Sequence, residues 1–336
     1  MSTSLPENVA ARDVPRAARR EAELPRISVV IPVRNDAARL DVCLRSLRQQ
    51  LYPGGRWELI VVDNGSRDAS REVARQWGAT VLCFPGLKVG ALRNRGVAVA
   101  SGDILAFVDA DHELPPDWLH RGLAALEAED GVAAVGAPCD VPQRATWVQR
   151  VWSVHRLRRR GRHATRWLGS GNLFVRRETF LRAGGFREDL VAAEDVDLCL
   201  RLAQTAGHVV CDPSIVNWHH GEPATLWQFI RKEYWRGSSG LWAFLSQGMP
   251  LAELPTLLYP LYHLLVVIGL LGGSAAAALE IVSWTAVAAA LALLAAPALM
   301  LGIKTSWQAG RPACALPLAL LYFVYGLVRA AALFKG

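Results

Sequence analysis

The sequence predicts an α/β fold, a mostly parallel sheet flanked by helices, followed by an α-helical transmembrane tail. Three observations predict it. Apolar runs alternate with amphipathic stretches in the first part of the 336-residue chain, the pattern of strands joined by crossover helices. Polar residues stand just past the ends of several runs, where open α/β sheets place their ligand crevice. Beyond Pro255 charge nearly vanishes, leaving Glu280, Lys304, Arg311, Arg329 and Lys335 among the last 82 residues. With 52% hydrophobic residues the chain is not disordered, and that tail argues against a wholly soluble protein.

Residues 1–24 are polar and lack the apolar core of a signal peptide, so they are expected to be flexible and the head to stay in the cytoplasm. A head domain over 25–222 follows. Ile27–Val33 reads as a strand buried on both faces. Ala37–Leu51 carries Leu40, Leu44, Leu47 and Leu51 at helical spacing. Next come a strand at Glu58–Val62, a helix near Ala69–Trp77, a strand at Thr80–Phe84, a helix at Val89–Ala100 and a strand at Ile104–Val108. The crevice then falls at Arg34-Asn35, Asp63-Asn64 and Asp109-Ala110-Asp111. The later head is less regular, with helices expected near Glu178–Ala183 and Val196–Ala206. Residues 223–250 form an amphipathic segment rich in Trp and basic residues, suited to a membrane interface or to packing on the head. Residues 251–336 offer three spans at 255–271, 281–303 and 313–334, the first interrupted by Pro260. Three spans put Lys304 and Arg311 on the head's side, as the positive-inside tendency favours, and Arg329 and Lys335 on the far side.

The net charge of +7 hides a local extreme, because Val141–Arg177 contains ten Arg and no acid. Such a block calls for an anionic neighbour, and Arg156–Arg166 is expected to gather a lipid headgroup. The membrane tail and the lack of any nucleic-acid module leave no role for nucleic acid. Six scattered cysteines without a CxxC pair suggest neither a disulfide framework nor a zinc site.

The chemistry-bearing pattern is a strand ending in Asp63, another ending in Asp109-Ala110-Asp111, and the remote Glu194-Asp195 pair. Paired carboxylates at a strand end can hold Mg²⁺ or Mn²⁺ shared with a diphosphate. The absence of GxxxxGK[ST] argues against an NTPase, and the absence of GxGxxG after the first strand against a dinucleotide fold. Val-Val-Ile-Pro-Val-Arg-Asn (29–35), Val-Val-Asp-Asn-Gly-Ser (61–66), Gly-Ala-Leu-Arg-Asn-Arg-Gly (90–96), Gly-Asp-Ile-Leu-Ala-Phe-Val-Asp-Ala-Asp (102–111) and Gly-Gly-Phe with Glu-Asp-Val-Asp-Leu (184–198) together resemble the family 2 glycosyltransferases. The resemblance covers about residues 26–240.

It implies a GT-A type fold (Rossmann-like), a nucleotide-sugar donor, a divalent metal (Mn²⁺ or Mg²⁺) and inversion at the anomeric carbon. By position it assigns Pro32, Asn35, Asp63, Arg93 and Asp109 to the donor. Asp111 becomes the metal ligand, with Asp109 facing ribose or metal. His219 or His220 completes the metal shell, His219 being preferred. Asp195 matches the catalytic base, with Glu194 the alternative, although an Asp there could instead cap the following helix. Asp197 is expected to face solvent or an internal ion pair. Gly169, Ser170, Gly171 and Asn172 match the acceptor loop.

The chain departs from the processive synthases, which carry Gln-x-x-Arg-Trp; here Gln228 and Arg231 are followed by Lys232. The expected enzyme is a non-processive transferase, multi-pass in a bacterial inner or plasma membrane, with a cytoplasmic head. Its expected acceptor is lipid-linked or membrane-proximal, beside anionic membrane lipid. The competing reading is an inactive nucleotide-sugar-binding or scaffold homologue.

Overall fold

The structure, a computed structural model, describes residues 24–154, 161–246, 254–281 and 283–333. The expected flexible segment therefore falls almost wholly outside the described residues, as do positions 155–160 of the Arg block. The first half follows the predicted alternation: β1 (Ile27–Val33), α1 (Ala37–Arg48), β2 (Trp57–Asp63), α2 (Ser70–Gln76), β3 (Thr80–Cys83), α3 (Val89–Val99) and β4 (Ile104–Val108). β1 is buried along its whole length because β2 and β4 pair with it in parallel on either side. Alternate residues of β1 feed two cores. Val29 and Ile31 meet Leu40, Leu44 and Leu47 of α1, whereas Val30 meets Leu92 and Val97 of α3. Each such leucine contributes about 2 kcal/mol by leaving water. α3 sits so close to the sheet that a Cβ on Gly96 would lie 2.5 Å from Val30 Cγ1.

The second half is more regular than its sequence suggests. It contains β5 (His112–Glu113), α4 (Trp118–Glu127), β6 (Val132–Gly136), α5 (Trp147–Ser153), β7 (His163–Thr165), β8 (Asn172–Arg176), α6 (Arg177–Arg182), α7 (Glu194–Thr205), β9 (His208–Cys211) and β10 (Trp218–His219). Strands such as Val-Ala-Ala-Val-Gly are too short and alanine-rich for periodicity to separate from helix. The eight-stranded sheet runs β3-β2-β1-β4-β8-β6-β9-β7. β8 enters it antiparallel to both β4 and β6, so its beginning lies at the crevice edge with the ends of the parallel strands. A separate ribbon pairs β5 with β10, setting His112 opposite His219.

Helix α8 (Leu226–Ser246) leads to α9 (Leu254–Ala278), α10 (Trp284–Gln308) and α11 (Ala315–Ala332). Three helices among the described residues are long and apolar enough to cross a membrane. Pro260 does not break α9, which continues past the predicted end to Ala278; apolar tail helices tolerate such a residue where neighbours support the backbone. α8 packs between α11 of the tail and α5 of the head. A Cβ on its Gly237 would meet Ala332 Cβ of α11 at 2.5 Å. Its Phe229 stacks edge-on to Trp152 of α5, and Trp152 in turn packs on Tyr322 of α11. Arg329 is not left as a far-side charge. It gives Glu233 of α8 two bonds, at 3.1 and 2.8 Å, and Glu233 is only 2% exposed.

Candidate active site

The strand ends and the β8 edge enclose a cleft of about 1330 Å³ that reaches from Pro32 and Arg93 to Trp235 and Arg236 of α8. On the first wall Pro32 lines the cleft. Asn35 adopts the left-handed region at φ 50°. Its Oδ1 accepts the Arg67 N–H at 2.8 Å, and its own N–H donates to Ser66 Oγ at 2.9 Å. Asp63 is wholly buried, and its carboxylate accepts the Ser66 N–H at 3.0 and 3.2 Å. Asn35 and Asp63 thus shape the turn beside the cleft, while Asn64 lines it.

Arg93 is buried at the centre. It reaches Asp109 at 2.7 Å and Glu194 at 2.9 Å and lies over the Phe186 ring. These ion pairs change two sequence expectations. Asp109 stands on Arg93, apart from the cluster that could hold a metal. Glu194 has its carboxylate committed to the same guanidinium, as a buried charge must be.

That cluster is Asp111, His112 and His219, whose ligand atoms all lie within 4.8 Å of one another. The β5–β10 ribbon makes it, stacking the two imidazoles edge-on at 4.9 Å. His219 Nε2 is 3.0 Å from Asp111 Oδ2, while its Nδ1 is 3.0 Å from Glu222. His220 points elsewhere, to Glu113 at 2.8 Å. Burial disfavours the His219 cation, but hydrogen bonds to Asp111 and Glu222 outweigh it and push its pKa up to about 9. Burial likewise opposes ionised Asp111, yet the His219 bond holds it down at about 2. His112 Nδ1 lies 2.7 Å from the Gly171 carbonyl, which leaves Nε2 facing the cluster. One carboxylate and two imidazoles, each imidazole steadied through its other nitrogen, is a donor set that could hold a divalent cation.

Sequence reasoning missed His112, Glu222 and Gly221. The first adjoins the Asp109-Ala110-Asp111 run, a signal within reach; the others are visible only once the chain has folded back. A Cβ on Gly221 would collide with Asp111 Oδ2 and with His219 Nε2.

Asp195 faces the cleft from α7. It is not that helix's cap, since Ala193 holds the cap position in the left-handed region at φ 63°. Its carboxylate is bonded by the Val196 N–H at 2.8 Å and by the Ser170 backbone. Desolvation, then the nearby Glu194 charge, raise its pKa to about 6. Asp197 makes an ion pair with Arg201 at 2.6 Å. Of the four residues expected to contact the acceptor, Gly169, Ser170 and Gly171 line the cleft. Asn172 does not: it is fully buried, accepts from Trp118 Nε1 at 2.9 Å and donates to Ile215 O at 2.8 Å and Ala137 O at 3.2 Å. Arg162, within the block expected to gather a lipid headgroup, is paired by folding with Asp212 at 2.8 Å and Glu129 at 3.0 Å from outside the acid-free block.

Residues 28–182 match the family described as Glycosyl transferase family 2. The chain is 30% identical over 220 residues to Glycosyltransferase AglE of Haloferax volcanii, covering 63% of this chain and 71% of that one. It is 29% identical over 240 residues to the Pre-mycofactocin glycosyltransferase of Mycobacterium tuberculosis, 63% of this chain but 46% of that one. Among solved structures, the mannosyltransferase PcManGT from Pyrobaculum calidifontis, in complex with GDP-Man and Mn²⁺, superposes with a TM-score of 0.56. At 21% identity over 95% of this chain and 93% of that one, it shows the GT-A fold alone. Sequence motifs, sheet and relatives agree: the chain belongs to glycosyl transferase family 2 and is a glycosyltransferase with a tail of three long apolar helices.

Proposed function

We propose that the enzyme moves a sugar from a nucleotide-diphosphate sugar to a lipid-linked or membrane-proximal acceptor, one sugar per encounter, with inversion at the anomeric carbon. The observation that carries this reading is the shared cleft: the Asp111–His112–His219 cluster and Asp195 open into one space that ends against α8. At about 1330 Å³ it exceeds the few hundred to about 1,000 Å³ of a single small-molecule site, leaving room for donor and acceptor together.

Pro32 and the Asn35–Asp63 turn form the donor wall, and Arg93 fixes Asp109 beside it. When bound, a divalent cation held by Asp111, His112 and His219 supplies charge neutralisation for the departing diphosphate. Asp195 takes the proton from the acceptor hydroxyl. A pKa near 6 leaves it ionised at neutral pH yet a better base than an exposed carboxylate. Gly169, Ser170 and Gly171 border the acceptor without side-chain bulk at two of three positions. Tail helices and α8 hold this opening at a bilayer, with the head on the cytoplasmic face of a bacterial inner membrane. Lys232 in place of the synthase tryptophan, with three apolar tail helices among the described residues, supports single transfer over polymer extrusion.

The test is incubation of the purified full chain in detergent with Mn²⁺ and a panel of nucleotide sugars, following nucleoside diphosphate release. At least one donor should be consumed, and Asp195→Asn should lose the activity. Failure with every donor, or an undiminished Asp195→Asn enzyme, overturns the proposal.

A further inference from the structure

We infer that Glu222 and Lys232 are positioning residues for His219, and that they make the geometry of the metal cluster depend on how α8 is seated on the tail. The inference rests on the proposed metal role of Asp111, His112 and His219. Glu222 is 7% exposed and bonds His219 Nδ1 at 3.0 Å through one carboxylate oxygen. Lys232 of α8 reaches the other oxygen at 3.3 Å and donates to the Gly221 carbonyl at the same distance. A single ammonium therefore pins both residues of the Gly221-Glu222 turn. This is the turn that leaves no space for a Cβ beside Asp111 and His219. Lys232 occupies the position where the sequence departs from the synthase motif, so the departure has a structural task.

The next residue on α8, Glu233, reaches the opposite way. It holds Arg329 of α11 at 2.8 Å and Arg236, which lines the cleft, at 3.2 Å. Adjacent residues of one helix thus grip the site and the tail. Removing the ammonium frees the Gly221-Glu222 turn from α8 and loosens the carboxylate that bonds His219 Nδ1. The imidazole then loses the fixed orientation that presents Nε2 to Asp111. Outer partners of ligating histidines govern affinity in this way, by about 10–100-fold.

The experiment measures Mn²⁺ binding to the full chain in detergent from the paramagnetic resonance signal of free Mn²⁺, alongside thermal unfolding without Mn²⁺. Lys232→Met should weaken Mn²⁺ binding about tenfold or more, and Lys232→Arg should recover most of it. Glu222→Gln, nearly isosteric, should show the same loss should Lys232→Met fail to fold. Arg329→Gln should weaken binding by a few-fold, carrying the effect from the tail. A folded Lys232→Met or Glu222→Gln protein with wild-type Mn²⁺ affinity overturns the inference, even where unfolding shifts. Wild-type affinity in Arg329→Gln removes the tail from it. Asp111→Asn separates this failure from the other. If it also binds Mn²⁺ as wild type does, the metal reading itself is wrong.

Discussion

Under its proposed role as base, Asp195 serves the reaction at the expense of the fold. Burial and the Glu194 charge disfavour its ionised form, so kcat/KM should fall as pH drops through about 6, the base being protonated. A pH–rate profile checks this; a flat profile between pH 5 and 7 contradicts it. The sign for stability is opposite. A carboxyl whose folded pKa is raised stabilises at low pH and loses that contribution as pH rises through about 6. Asp195→Asn should therefore be inactive yet raise Tm at pH 7.5 by about 2 °C or more, read by thermal unfolding in detergent. Asn172→Ala should do the reverse, stranding the Trp118 Nε1 donor and its carbonyl partners and costing about 1–3 kcal/mol of stability. If Asn172→Ala instead keeps wild-type Tm and raises only the acceptor KM, the residue belongs to the acceptor after all. Gly221→Ala should abolish Mn²⁺ binding without unfolding the head, because the new methyl group displaces Asp111 and His219 locally.

At the level of elements, the first four strands and their helices were readable because parallel strands buried on both faces leave unbroken apolar runs. Amphipathic helices leave a leucine stripe such as Leu40, Leu44 and Leu47. Asp111 and Asp195 were singled out by the motif resemblance, and folding brings both to one cleft. His112 adjoins the Asp109-Ala110-Asp111 run, but its pairing was hidden: His219 lies 107 residues away and only the β5–β10 ribbon brings the two together. The partners of Arg162 were hidden for the same reason: its sequence neighbours contain no acid, but folding brings it Asp212 and Glu129 from other elements. Helix α8 resisted reading because its apolar face matches a membrane surface and a partner helix equally well. A packing prediction follows at this scale. Gly96→Leu should destabilise strongly, as the α3–sheet approach leaves no room for a side chain against Val30 and Val62. Thermal unfolding that matches wild type would show that α3 can shift without loss.

For the whole molecule, catalytic head and apolar tail meet through a mixed cluster of Val148, Val151, Trp152, Phe229, Leu318 and Tyr322. Interfaces of this kind resemble a domain core, so head and tail should unfold together in detergent. Two separated transitions in calorimetry would contradict that. The three spans also predict that alkaline carbonate leaves the protein in the membrane pellet. Release into the supernatant would mean that the tail helices do not cross the bilayer.

The antiparallel entry of β8 has a further consequence, for how such an enzyme can change over generations. β6 ends at Gly136 and β8 begins at Asn172, and the two strands are neighbours with Gly136 opposite Leu173. Between these neighbouring strands the chain forms α5 and then β7, which pairs with β9 at the edge of the same sheet, before it returns beside its starting point. Its length can therefore change without shifting β6 against β8, because its two ends lie close together, as long as β7 keeps its place on β9 and Ser170 its bond to Asp195. Under the proposed acceptor role of Gly169, Ser170 and Gly171, a change of acceptor would begin in that stretch, with β6 and β8 left in register.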